Sequence, residues 1–263
     1  MLKGGGVAGL DPNAKAYINT IVSAGATVTS TQKKAINTFY KTGKSEGWYS
    51  PIKRMYFPIW GIAAPNAVDL ITTTSGTFAG GVTHGAGFIQ GNGSTGRFLM
   101  NASPQGIGMV AGSSSTFALV KVNQNAFNGV IVSTPIGGKF NGFTYGATNM
   151  SWSAGLTANS NLATFHTGII IESETAVNSR YIRKRTTSGV TSLSTNTTNV
   201  AGNYASFNQS VMAGQSVVGS FYGYSTAEIG GYGIGLAMTT SQADAFTLAY
   251  KTLWETCTGL TLP

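Results

Sequence analysis

From about Ala64 to Met238 the chain alternates short apolar runs with clusters of Gly, Asn, Ser and Thr, and this texture constrains the fold most. The runs include Gly106 to Ala111, Phe117 to Val122, Gly129 to Ser133, Lys139 to Tyr145, Phe165 to Ile171, Arg180 to Thr186, Val217 to Tyr222 and Tyr232 to Met238. Turn signals recur about every 8–12 residues, which predicts an antiparallel sandwich or barrel. Parallel βαβ units would need helical segments between the strands, and none is written there. Asn125, Asn128 and Asn141-Gly142 read as loop tips. The skin of such a fold is short of charge: Asp, Glu, Lys and Arg make up 9% of the 263 residues, against about 25% in an average domain. Small hydroxyl and amide side chains must cover it instead, which suits contact with other subunits or with sugars.

Gly85 to Met100 shows the pattern at its densest, two apolar runs flanking Gly91-Asn-Gly-Ser-Thr-Gly96. That predicts a strand, a tight turn and a returning strand. The glycines spell G-x-G-x-x-G, but a dinucleotide site needs a helix directly after them and an acid about 20 residues on. Arg97-Phe-Leu-Met leads instead to another turn at Ser103-Pro104, and the next acid is Glu172.

The ends of the chain read as helices. Asp11 caps a helix with Pro12 at its first position, and Ala14, Tyr17, Ile18, Ile21 and Val22 share one stripe up to Gly25. Thr29 to Gln32 is a capping box opening a second helix, with Ala35, Ile36, Phe39 and Tyr40 as its apolar stripe. Two short amphipathic helices cannot stand alone, so they must cover something. Gly47 to Gly61 then packs five aromatics into fifteen residues. Burial as a connector is the first reading, and an aromatic platform the competing one. Ser241 to Asp244 reads as a further capping box, opening a helix through about Cys257 that Gly259 stops. Leu260 to Pro263 is placed to tuck back as an anchor. The chain therefore divides into a docking region at 1–62, a sandwich at 63–240 and a packing helix at 241–263.

Charge is uneven. Residues 1–54 carry eight Lys/Arg against Asp11 and Glu46, a net of +6 out of +8 for the chain. These are the solvated faces of two helices or a surface for an acidic partner, for which Lys33, Lys34, Lys41 and Lys44 are the candidates. The lone cysteine, Cys257, excludes an intrachain disulfide and falls at helical spacing from Phe246, Tyr250 and Leu253. With no apolar leader and no run near the ~20 residues of a membrane span, a reducing cytoplasm is the expected folding compartment and membrane insertion is not expected.

The segments D-P-N-A-K-A-Y-I (11–18), A-I-N-T-F-Y (35–40), G-W-Y-S-P-I-K-R-M-Y (47–56) and G-N-G-S-T-G (91–96) resemble a family of tailed-bacteriophage proteins. In that family a helical hairpin precedes a sandwich similar to the laminin-G and concanavalin A-like jelly roll. Asn178-Ser-Arg-Tyr followed by Ser188-Gly-Val-Thr resembles the family's hairpin, and Tyr232 to Trp254 its last strand and terminal helix. The resemblance implies a virion component, a tail fibre, tail tip or head decoration, made in the host bacterial cytoplasm and partnered by other virion proteins. It also implies a possible host surface glycan as ligand, and symmetry makes a trimer or ring the expected assembly. Trp152, Tyr145 and Tyr224, near predicted turns, are the aromatics to test for sugar stacking, with core packing as the alternative.

Catalysis, metal and cofactor are not expected. Glycoside hydrolysis needs two carboxylates about 5–9.5 Å apart, and Glu172 with Glu174 is the only sequence-local pair. Laminarin-cleaving enzymes of the resembled fold look like E-x-D-x-x-E, where this chain reads Glu172-Ser-Glu174-Thr-Ala-Val177. The pair therefore reads as a solvated or salt-bridged strand end, with Arg180, Arg183 or Arg185 as partners across a hairpin. A glycan-cleaving depolymerase and a free carbohydrate-binding module stand as alternatives. His84 and His166 have no Cys or acid at ligand spacing, and no G-x-S-x-G elbow is present. Arg180 to Arg185 places charge on both faces of a strand, which suits an exposed edge more than nucleic acid.

Overall fold

The computed structural model describes residues 9–122, 129–136, 139–145, 150–154, 158–162, 166–197, 206, 208–217 and 220–263. Two antiparallel sheets face each other. The first runs β13 (Gly189–Asn196), β12 (Ser179–Thr186), β11 (Gly168–Ala176), β6 (Ser114–Val122), β17 (Glu228–Gly235), β4 (Phe88–Gly91), β3 (Val82–Gly85). The second runs β10 (Ala158–Leu162), β9 (Met150–Ala154), β8 (Lys139–Tyr145), β7 (Gly129–Ile136), β14 (Ser210–Val211), β5 (Arg97–Leu99), β2 (Thr77–Ala79). A ribbon of β15 (Gly214–Val217) and β16 (Ser220–Tyr222) stands beside them. β1 (Ile52–Tyr56), from within the 1–62 segment, also joins the first sheet, pairing Tyr56 with Tyr232 of β17.

Helices α1 (Pro12–Ser23), α2 (Ser30–Ser45) and α4 (Thr240–Thr258) form a third layer over the first sheet, and the short α3 (Ala63–Asn66) follows β1. The central strands are therefore buried on both faces, which is why they read as unbroken apolar runs. In β6, Phe117 and Leu119 join a core with Phe39, Trp48, Phe246, Tyr250 and Trp254 of the helical layer. Their neighbours Ala118 and Val120 join the core between the sheets with Phe98, Met100, Val211 and Met212. β11 divides likewise, Ile169 and Ile171 towards the helices and Ile170 towards the second sheet. The aromatic connector is buried, with Trp48, Tyr56 and Phe57 closed to solvent.

Local chemistry sets the helix ends. Asp11 Oδ1 accepts from the Asn13 N–H at 2.9 Å, and Thr29 with Gln32 forms the expected capping box. For α4 the box lies two residues earlier than the sequence suggests, at Thr239 and Gln242. Asp244 is thereby released for an arginine, as described below. Gly259 ends the helix in the left-handed region, and buried Leu262 returns to donate its N–H to Glu255 Oε1 at 2.9 Å. Thr239→Ala should lower stability by about 1 kcal/mol in a urea titration, and Thr239→Ser should restore it.

Three sequence expectations fail. β4 and β5 are not a hairpin: they lie in different sheets, and the turn at 91–96 carries the chain across the sandwich edge. β4 pairs instead with β3, His84 opposite Ile89. Gly106 to Ala111 holds no strand, because Pro104 opens a 3-10 turn over Gln105–Ile107. Asn141-Gly142 lies inside β8, paired with β7 and β9, whereas Asn125 and Asn128 lie outside the described residues.

Candidate functional site

Glu172 and Glu174 do project to one side of β11, but they are fully buried and not a solvated strand end. Register places Glu172 between Thr116 and Ile182, and Glu174 opposite Ser114 and Arg180. Ser114 Oγ donates to Glu174 Oε2 at 3.3 Å. Both Glu172 oxygens lack a hydrogen-bond partner. Burial and then the Glu174 charge push the Glu172 carboxyl well above the usual range, with Arg180 opposing. A carboxylate sealed in this way cannot reach a sugar.

The other acids are also occupied or remote. Asp69, buried, accepts from Met55 N at 3.0 Å, Ile71 N at 2.9 Å and Thr72 Oγ1 at 2.7 Å. Burial pushes its carboxyl up, and those bonds and Arg54 oppose the shift. Asp11 pairs with Lys44, Glu228 with Lys121, Asp244 with Arg183 and Glu255 with Lys251. Glu46 is exposed at the end of α2. Among the described residues no three His, Cys, Asp or Glu side chains could hold a metal.

The basic run has a different use from the one expected. β12 is an interior strand, paired with β11 and β13, so it protects no edge. Arg183 Nε lies 2.7 Å from Asp244 Oδ1. Arg185 donates to Thr247 Oγ1 at 3.0 Å and to the Asp244 carbonyl at 2.9 Å. These arginines bolt the start of α4 to the sheet, while Lys184 meets His166 Nδ1 at 3.2 Å.

Of the four docking lysines, two are internal ties. Lys44 donates to Asp11 and to Asn13 Oδ1, and Lys41 to the Gly9 carbonyl, fixing α2 against the start of α1. Lys33 is half-buried. Lys34 is exposed on a groove of about 630 Å³ between α2 and α4.

The three aromatic candidates lie on or just after separate elements. Tyr145 ends β8 opposite Met150, and Trp152 lies mid-strand in β9 opposite Phe143, not at a turn; only their backbones are described. Tyr224 is half-buried just after β16. Here two loops meet. Gln90 donates to the Thr226 carbonyl at 2.8 Å, and Gly91 approaches Ser225 so closely that a Cβ would stand 2.4 Å from its carbonyl oxygen. Asn92 Oδ1 accepts from the N–H groups of Ser94, Thr95 and Gly96, at 3.1, 2.9 and 2.9 Å, so a side chain holds the glycine-rich turn. From the neighbouring β5, Arg97 lays its guanidinium 4.2 Å from the centre of the Phe221 ring, and its Nε makes no hydrogen bond. Tyr222, the next residue of β16 and so on its other face, lies half-buried over Gly214, its hydroxyl pushed up to about 12 by burial.

This rim combines aromatic rings, a guanidinium and exposed Asn92, Ser94 and Thr95. Such a set can stack on a sugar ring and hydrogen-bond its hydroxyls. Arg97 and Phe221 are 124 positions apart, which is why sequence reasoning missed them; an arginine just after a turn was the only local sign.

No protein-family profile and no curated protein sequence matches this chain. Solved structures do. A Trypanosoma rangeli sialidase in complex with 2,3-difluorosialic acid superposes with a TM-score of 0.57 at 10% identity, over 84% of this chain and 40% of that one. Domain 4 of AbnA, a GH43 extracellular arabinanase from Geobacillus stearothermophilus, solved with arabinotriose, gives 0.51 at 12% identity, over 76% of this chain and 98% of that one. The binding domain of botulinum neurotoxin DC, in complex with rat synaptotagmin II, gives 0.52 at 7% identity, over 77% and 52%. The chain spans about 40% of the sialidase it matches, and at these identities the likeness is one of fold.

Proposed function

We propose that this protein is a non-catalytic recognition module whose sandwich binds a surface glycan at the rim formed by Asn92, Arg97, Phe221 and Tyr224. The observation that carries the reading is the Arg97 guanidinium over the half-buried Phe221 ring, next to the place where the glycine-rich turn meets Ser225 and Thr226, while the one sequence-local carboxylate pair is sealed between the sheets. An arabinanase domain solved with arabinotriose, matched over nearly its whole length, supports the same reading. The setting we propose is the one the sequence resemblance implies, a tailed-phage virion in which the helical layer faces other parts of the particle.

A glycan array followed by calorimetry on the best binder tests the site. Tyr224→Ala and Arg97→Ala should each weaken binding by about tenfold or more, equivalent to about 1.4 kcal/mol, with thermal stability nearly unchanged. Absence of any glycan ligand, or binding indifferent to both variants, would overturn the assignment. Clearing of polysaccharide by wild type but not by Glu172→Gln with Glu174→Gln would establish a depolymerase instead. Mass spectrometry of purified particles tests the virion setting, since a free carbohydrate-binding module would be missing from them.

A further inference from the structure

The groove between α2 and α4 has a lining of small side chains and two opposite charges. Small side chains, Ala35, Thr38, Thr42, Ala245 and Ala249, line it, and Leu248 stands on it 52% exposed. Small residues of this kind let further helices approach to the 8–10 Å typical of packed pairs. Lys34 and Glu46 also line it, one charge of each sign on a chain of net charge +8, and neither makes an ion pair with the described residues. A surface of balanced charge is where two copies of a basic chain meet without like-charge repulsion.

The arrangement is self-complementary. Gln32 Nε2 donates to the Cys257 carbonyl at 2.9 Å and Gln242 Nε2 to the Gly47 carbonyl at 3.0 Å, so α2 and α4 run antiparallel in a fixed alignment. That alignment puts the middle of α2, level with residue 40, beside Leu248 and Ala249 of α4. Lys34 and Glu46 lie equally far either side of the same level, about 9 Å each at 1.5 Å per residue. Thr38 and Thr42 straddle it too. A two-fold axis through this level would bring Lys34 of each copy to Glu46 of the other, Thr38 to Thr42, and the two Leu248 side chains together at the centre. An isologous contact requires this kind of mutual pairing.

We propose that the α2/α4 face is a two-fold interface between two copies of this chain, with Leu248 at its centre and a reciprocal Lys34–Glu46 ion pair at each end. The assembly unit is then a dimer in place of the trimer or ring expected from sequence. Light scattering after size exclusion, over a concentration series, should show wild type approaching twice the 27.2 kDa chain mass. Leu248→Glu, a change at an exposed position, should raise the dissociation constant by about tenfold or more, with unaltered circular dichroism. Lys34→Glu and Glu46→Lys should each weaken the dimer, and the double variant should recover most of the loss, because the swapped charges still meet. A wild type that stays at the single-chain mass, or adopts a trimer or ring, would overturn the proposal. So would a dimer indifferent to Leu248→Glu, or a double variant no tighter than the single ones.

Discussion

Replacing Phe246 with alanine should lower the unfolding free energy by about 3–5 kcal/mol. The ring is fully buried and stands where helical layer and sheet meet. Its centroid lies 4.7 Å from that of Phe117 on β6, 5.3 Å from Trp48, 5.7 Å from Tyr250 and 6.4 Å from Phe39. Helix α2, the Trp48 connector and β6 thus lose a shared neighbour on α4 at once, and the remaining rings are held by backbone that cannot collapse into the gap. Part of the loss is the transfer of the ring itself, part is the cavity, and each aromatic contact adds about 0.5–1.5 kcal/mol. For a chain of this size the melting temperature should fall by roughly 6–20 °C, and Phe246→Leu should recover part of it. A loss below about 1 kcal/mol would mean that the helices ride on the sheet without sharing its core.

The features legible in the sequence were those set by neighbours in the chain. The Asp11 cap, the Thr29 box and the Gly259 stop follow from side chains within four residues of the groups they satisfy. The apolar runs of β6 and β11 announced strands, and the structure shows them buried on both faces. What covers them is contributed by Phe39, Trp48 and Phe246, far away in the chain, and no local pattern names those partners. The same limit explains the errors. Asn92 was legible as a turn residue, but whether the next strand returns to the same sheet depends on β14 and β2, the strands that flank β5. The charges of Arg183 and Arg185 looked like a solvated edge because Asp244, the acid that meets Arg183, is 61 positions on.

Charge, scarce in this chain, is used mostly as internal fastening. Arg183 and Arg185 hold α4, Lys44 holds the start of α1, and Arg54 supports Asp69 under β1. Surface pairs contribute little each, about 0–1 kcal/mol, so these contacts set orientation more than they set stability. In the α2/α4 groove Lys34 and Glu46 are exposed and make no ion pair with the described residues, whereas at the rim Arg97 is half-buried against the Phe221 ring and donates to the Thr95 carbonyl at 3.3 Å.

Glu172 is the exception to that economy, and it should make stability depend on pH. Its native state holds a proton that the unfolded chain releases in the ordinary glutamate range, because burial and the Glu174 charge disfavour the ionised form. Unfolding therefore releases a proton between the ordinary value and the raised native one. Across that window stability should fall as pH rises, by up to about 1.4 kcal/mol per pH unit. The contribution is most favourable below the unfolded value and levels off above the native one. Glu172→Gln keeps the shape and removes the titration, so the variant should be the more stable protein at neutral pH, by about 1–3 kcal/mol, and its curve should be flatter. Asp69→Asn should instead lower stability, although burial raises that carboxyl too and its titration has the same sign, because it has bonds to lose: Met55, Ile71 and Thr72 all donate to it. Urea titrations of wild type and Glu172→Gln from pH 4.5 to 8 decide the matter. Parallel curves would show that Glu172 is ionised in the folded protein and compensated by a charge that faces it.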